Sequence, residues 1–329
     1  MFRTGIFRTG RGHHRLGILP AAAAMMTALG VLALPTAQAD EAPAQQHTQS
    51  AEDTQVAQEV WRTDFDGAAG SLPSGDDWII DTGHGYPGGP PNWGTGEVQS
   101  YTDSPENLQL DGEGHLKITA LKKGDSWTSA RIETRRTDFA APEGGKLRIS
   151  ASLRLPQVSG DGALGYWPAF WTLGADYRGN YQNWPGIGEF DIMENVNGQS
   201  AAHGVLHCGV NPGGPCNETQ GLGNSATCGD SCQGGFHEYA LELDRTGATE
   251  ELRWYQDGRL FHTVRESDMD AATWQKATDH GHFILLNLAM GGAFPDGAAG
   301  HATPTAATAS GGSLLVDHVA VEVTPPAAR

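Results

Sequence analysis

The chain has 329 residues, 39 Asp and Glu against 21 Lys and Arg, and a formal net charge of −18. A surface this acidic repels nucleic acid and anionic lipid, so those partners are excluded and a neutral one, such as a polysaccharide, fits. The length allows one large domain or two modest ones.

Arg3, Arg8, Arg11 and Arg15 open the chain, with no acidic residue before Asp40. The stretch from Leu16 to Pro35 is mostly Ala, Leu, Met and Val, and Ala37-Gln38-Ala39 closes it with small residues two apart. This is the pattern of a secretory signal peptide over residues 1–39, cleaved after Ala39. Pro20 and Gly30 break the apolar run, which argues against a membrane anchor. The expectation is an extracellular protein, a monomer, with no membrane attachment after cleavage. Residues 40–60 are rich in Ala, Gln, Glu and Thr, carry no aromatic side chain, and read as a flexible linker.

No repeat and no second linker follows, so residues 61–329 read as one domain. Its pattern is that of short strands. Apolar and polar residues alternate over Leu116–Ala120, Lys146–Leu155, Glu238–Leu243 and Leu314–Val321. Asp257-Gly258, between Leu252–Tyr255 and Leu260–Val264, is a hairpin signal. Many such strands in one large domain predict an all-β fold, two packed antiparallel sheets forming a sandwich or jelly roll.

All four cysteines fall between residues 208 and 232: Cys208, Cys216, Cys228 and Cys232. An even number in an exported chain predicts two disulfides. Pairing neighbours, 208 with 216 and 228 with 232, is the simplest of three connectivities. The spacings differ from the usual paired-cysteine zinc patterns.

The stretch richest in chemistry is Gly188-Glu189-Phe190-Asp191-Ile192-Met193-Glu194-Asn195. Its interleaved apolar residues predict a strand. On a regular strand Glu189 and Asp191 share a face and Glu194 points away. One β-bulge near Met193 brings Glu194 round to join them. A helix fits worse, because it would set the two glutamates about 140° apart. With the bulge, backbones roughly 13 Å apart allow the two carboxyl groups to close to about 5–6 Å, near the separation of a retaining glycosidase. Three crowded carboxylates cannot all ionise easily, so a proton is kept among them. A solvated acidic face and a calcium site are the competing readings of the same spacing. Aromatic residues gather nearby in Trp167-Pro168-Ala169-Phe170-Trp171 and Asn183-Trp184-Pro185, with Trp93 and Tyr101 around another Gly-rich segment. Flat aromatic faces suit pyranose rings. One of Trp167 and Trp171 is expected in the core.

Here the chain resembles glycoside hydrolase family sixteen, in its laminarinase-like branch, whose signature Glu-x-Asp-x-x-Glu appears as Glu189-Phe190-Asp191-Ile192-Met193-Glu194. Glu97–Thr102 with Pro105-Glu106-Asn107, Thr128–Ile132, Trp167–Trp171, His207 and Leu286–Gly292 match in the same order, and the likeness runs from about Trp61 to Val323. The resemblance implies a β-jelly roll with a concave glycan-binding cleft. It implies Glu189 as nucleophile, Glu194 as acid/base and Asp191 as the group that tunes them. It implies Arg131, Trp167, Trp184, His207, Asn287 and Phe294 on the substrate. No cofactor is required for catalysis, but a structural calcium is implied, with Asp64 and Asp317 as ligands. Two features depart from the family. Phe294 stands near the place of a late tryptophan, and the Cys208–Cys232 loop is longer than in simple laminarinases and resembles fungal-type members. That loop follows His207 directly and so is expected to border the cleft. The expected activity is endo-hydrolysis of β-1,3-glucan, with mixed β-1,3/1,4-glucan as a second substrate. The alternatives are the same machinery on another β-glycan such as β-1,3-galactan, a transglycosylase, and a non-catalytic glycan-binding jelly roll.

Overall fold

The computed structural model describes residues 55–229 and 231–327; the signal peptide and most of the linker expected from the sequence lie outside them. Two large antiparallel sheets make up most of the domain, and Gln99–Tyr101, Ser126–Ser129 and Leu121–Lys123 form a small third sheet. One large sheet has seven strands in the order Leu222–Thr227, Ala201–His207, Glu189–Glu194, Tyr166–Gly174, His282–Met290, Arg131–Thr134 and Trp78–Asp81. The other has eight: Arg259–Arg265, Glu251–Gln256, His237–Asp244, Lys146–Arg154, Ser313–Thr324, Leu116–Thr119 and Leu108–Leu110 in order, with Gln58–Thr63 also paired to Ser313–Thr324. That last pairing moves the start of the domain. Gln58, Glu59 and Val60 belong to the sheet and not to the linker: Gln58 and Glu59 pair with Val323 and Glu322 of the long Ser313–Thr324 strand, and Val60 is the extra residue before Trp61 pairs with Val321.

Alternation explains the packing. In Lys146–Arg154 the residues Leu147, Ile149, Ala151 and Leu153 are buried, with polar residues between them. His282–Met290 is buried along its whole length, as expected of a strand covered on both faces. Its Ile284, Leu286, Leu288 and Met290 join the main core, while Phe283 and Leu285 pack in a smaller cluster with Leu173, Tyr177 and Ile187. The Asp257-Gly258 turn joins Glu251–Gln256 to Arg259–Arg265. Both of its residues take positive φ, 49° and 74°, the backbone that matches strand twist in a two-residue hairpin. Among the described residues the only α-helices are Ala271–Thr278, whose first turn is capped by Asp270, and Ala293–Ala299. The two disulfides join Cys208 to Cys216 and Cys228 to Cys232, the neighbour pairing.

Candidate active site

The Glu189–Glu194 strand is bulged. Against Tyr166–Gly174, Leu173 faces Glu189 and Trp171 faces Asp191, but Phe170 faces Met193, which leaves Ile192 as the extra residue. The ladder to Ala201–His207 shows the same insertion, with Asp191 opposite Val205 and Glu194 opposite His203. Ile192 and Met193 therefore both enter the core, and Glu194 regains the face of Glu189 and Asp191. The bulge is supported from below. Trp254, fully buried on the opposing sheet, donates its indole N–H to the Asp191 carbonyl at 2.8 Å, which meets a backbone acceptor inside the core.

Glu189, Asp191 and Glu194 line one cavity of about 380 Å³. Its floor also comes from Trp167, Ala169, Trp171 and Leu173, alternate residues of the neighbouring strand, while Tyr166 and Phe170 point into the core. Both tryptophans thus face the cleft, contrary to the expectation that one is core. Strand parity decides this: positions 167 and 171 share a face. Each is held by its indole. Trp167 donates to Glu194 Oε1 at 2.8 Å and Trp171 to Asn287 Oδ1 at 2.7 Å. Trp184 donates to Glu189 Oε2 at 3.1 Å.

Asp191 and Glu194 are buried and Glu189 is half-buried, and loss of solvent is the main force on the protons of the two glutamates. It raises Glu194 to about 8, with the Asp191 charge adding and the Trp167 N–H opposing. Burial likewise drives Glu189 well above the usual carboxylate range, again with Asp191 adding and His207 opposing. The charge of Asp191 raises both glutamates, so the set holds a proton near neutral pH while one member ionises. That is the requirement for paired acid and nucleophile chemistry.

Arg131 lies buried in the cleft wall. Its guanidinium carbon is 4.5 Å from the Trp93 ring centre and 4.9 Å from that of Trp171. Its Nε donates to Asp81 Oδ2 at 3.1 Å and its Nη2 to the Tyr86 hydroxyl at 2.9 Å. Tyr86 donates in turn to Glu133 Oε2 at 2.7 Å. Asp81 is pushed up to about 6 by burial, with Arg131 pulling the other way. Arg131 thus arrives already charge-paired, and it presents aromatic company more than a free cation.

Of the other expected substrate residues, Trp184 and Asn287 line the cavity. His207 and Phe294 do not. His207 sits behind Asp191, its Nε2 3.3 Å from Asp191 Oδ2. Phe294 packs edge-on against Trp167, ring centres 5.9 Å apart, and so braces a cleft residue from outside. The loop closed by Cys208–Cys216 does border the cleft, through Asn211. Sequence reasoning missed Tyr86, Tyr177 and Tyr181, whose only signal was an aromatic in a Gly-rich loop. It also gave Glu97 no role in the site. Glu97 is buried in the cleft wall, where Thr95, Gln99 and Tyr101 all donate to it.

The implied calcium ligands were also placed. Asp64 Oδ1 accepts from Arg62 Nε at 2.7 Å, and Asp317 Oδ2 lies 2.8 Å from His318 Nδ1. Among the described residues no third metal-ligating side chain joins them. Each carboxylate already has a side-chain partner, Arg62 for Asp64 and His318 for Asp317, and no step is derived through a cation.

A bulged strand that gathers three carboxylates in one cavity with tryptophans is the arrangement of a glycoside hydrolase. Comparison with known proteins agrees and narrows the class. A family model described as the XgeA-like catalytic GH16 domain matches residues 128–235. A Rhodothermus marinus beta-glucanase is 32% identical over 272 residues, covering 80% of this chain and 84% of that protein. The crystal structure of an endo-1,3-beta-glucanase from Streptomyces sioyaensis is 55% identical, covers 82% of this chain and 97% of its own, and superposes with a TM-score of 0.80. The chain belongs to glycoside hydrolase family sixteen. A glucan endo-1,3-beta-glucosidase A1 of Niallia circulans is 27% identical over 280 residues, and the match spans only 37% of that longer protein.

Proposed function

We propose that this protein is a secreted, monomeric, retaining endo-hydrolase of β-1,3-glucan. The observation that carries the reading is the single bulge at Ile192, which sets three carboxylates on one face of an aromatic cleft. The names of the Rhodothermus and Streptomyces proteins supply the glucan. Export is supported by the leader pattern and by two disulfides. Among the described residues no helix is long and apolar enough to cross a membrane.

In this reading the reaction takes two steps. Glu189 attacks the anomeric carbon as a carboxylate, and the bond to the leaving oxygen breaks as Glu194 gives that oxygen its proton. This leaves a glycosyl ester on Glu189 and an ionised Glu194. Glu194 then takes a proton from water as the water oxygen displaces Glu189, which restores both groups. The negative charge of Asp191 favours return of the proton to Glu194. Trp167 and Trp171 offer flat faces to the sugar rings, and their N–H groups are already used, so they orient by contact.

The test is digestion of laminarin, lichenan, agarose and arabinogalactan, with proton NMR of the first product. Laminarin should be cut internally and the β-anomer should appear before the α-anomer. An α-anomer first would require carboxyl groups about 6.5–9.5 Å apart with water between them, and would overturn the retaining mechanism. Cleavage of agarose or arabinogalactan alone would overturn the substrate.

A further inference from the structure

His207 is held from two sides by carboxylates. Its Nδ1 lies 2.7 Å from Glu218 Oε2, and its Nε2 lies 3.3 Å from Asp191 Oδ2. An ionised carboxylate only accepts hydrogen bonds, and a neutral imidazole has one donor and one lone pair. The neutral ring would therefore point a lone pair at one of the two carboxylates. Only the imidazolium puts positive charge against both: it hydrogen-bonds Glu218 through Nδ1 and, without hydrogen-bond alignment, ion-pairs at 3.3 Å with Asp191 Oδ2, a buried oxygen that has no hydrogen-bond partner in the protein.

Glu218 is not free to turn away. Its side chain is fully buried, and its other oxygen, Oε1, accepts the Cys208 backbone N–H at 2.9 Å. Its own backbone pairs with Gly213 in both directions at 2.6 Å. The segment between is closed by the Cys208–Cys216 disulfide. A short stapled loop thus delivers one buried acid to the back of His207.

The charges around the ring are Asp191, Glu189 and Glu194 from the adjoining strand and Glu218 from the loop; Trp184, with ring centres 5.8 Å apart, is the uncharged neighbour from the preceding loop. Among the described residues no Lys or Arg pairs with any of these four carboxylates, and His207 is the basic side chain that contacts two of them, Asp191 and Glu218. Burial opposes charge on His207, but Asp191 and Glu218 outweigh it and hold its proton well above the usual histidine range.

We propose that Glu218 is a positioning residue which, held by the Cys208–Cys216 loop, keeps His207 as a permanent imidazolium counter-charge beneath Asp191. This rests on the reading of Glu189 and Glu194 as the catalytic pair. With the counter-charge in place, the charge of Asp191 is offset and does not drive a second proton onto the glutamates, so Glu189 remains a nucleophile while Glu194 remains an acid. Without it, the charges of Asp191 and Glu194 are no longer offset, the proton affinity of Glu189 rises further, and the nucleophile is silenced.

The test begins on the native protein. Ring nitrogen shifts of His207, identified by their loss in His207→Gln, should show both nitrogens protonated at pH 7.5. A neutral ring at that pH overturns the proposal. In Glu218→Gln the His207 midpoint should fall by about one to three pH units, and kcat should decline above the new midpoint with KM unchanged. A midpoint that stays in place, or one that moves while kcat does not follow, overturns it. The Cys208→Ser/Cys216→Ser variant should lower the same midpoint by loosening the loop; an unchanged midpoint there removes the disulfide from the device. Failure of the catalytic reading itself is separable, because it shows as turnover by Glu189→Gln or Glu194→Gln whatever the state of His207.

Discussion

Trp167 donates its indole N–H to Glu194 Oε1 at 2.8 Å, so a cleft aromatic also sets the proton affinity of the acid beside it. That N–H favours the ionised carboxylate and works against burial and the Asp191 charge. Trp167→Phe removes it, raises Glu194 above about 8, and should move the alkaline limb of the kcat–pH profile upward by about a unit or less. Asp191→Asn removes a charge that raises Glu194, so Glu194 loses its proton at lower pH and the same limb should move down. Profiles that move together, or not at all, would contradict this account of the acid.

Glu194→Gln should lower kcat on an unactivated glucan by about 10²–10⁴-fold, and Glu189→Gln should do at least as much by removing the nucleophile. Both carboxylates resist ionisation. An uncharged amide of the same shape should therefore leave the thermal midpoint unchanged or raise it. Calorimetry beside single-turnover assays checks both halves. A large fall in the midpoint would mean that the glutamates hold the fold together more than they serve the reaction.

Asn287 accepts from Trp171 and donates to the Tyr101 hydroxyl at 3.2 Å, which itself donates to buried Glu97 at 2.9 Å. Asn287→Ala leaves the Trp171 N–H without its partner, at a cost of about 1–3 kcal/mol. The indole should then shift, and KM for laminarin should rise more than kcat falls. Steady-state kinetics and tryptophan fluorescence report this, and unchanged KM would show that Trp171 is held by packing alone.

Histidine 282 gives a stability prediction. Burial, helped by neighbouring His280, depresses its proton affinity to about 3. The unfolded chain binds a proton there below about 6.5 and the folded chain does not, so stability is complete above that pH. It should fall by about 1.4 kcal/mol per pH unit between about 6.5 and about 3. His282→Gln removes the titration, and urea unfolding should then show a shallower loss of stability over that window. The same slope in both proteins would mean that His282 is protonated in the fold.

Much of this was legible in the sequence because alternation is a local property. Leu147, Ile149, Ala151 and Leu153 announce which side of their strand is core, and Asp257-Gly258 announces its own turn. The bulge was legible too, since Glu189 and Glu194 have opposite parity and no regular strand could bring both to one face. Parity within Trp167–Trp171 carried similar information, and the base rate for isolated tryptophans obscured it. Other features had no local signature. The Trp254 bond to the Asp191 carbonyl joins residues 63 apart on opposite sheets, and the strand role of Gln58–Val60 exists only because Ser313–Thr324 is there to pair with it.

The sequence by itself determined the class of fold, the disulfide-bearing segment and which carboxylates could act together, because periodicity, residue type and parity are set along the chain. The tertiary structure alone decided what surrounds those carboxylates. It put His207 behind Asp191, not in the cleft, turned Phe294 against Trp167, and brought Glu218 to the far side of His207. Proton affinity at such a site depends on burial and on charges a few ångströms away, and distances of that kind are fixed by how sheets and loops pack.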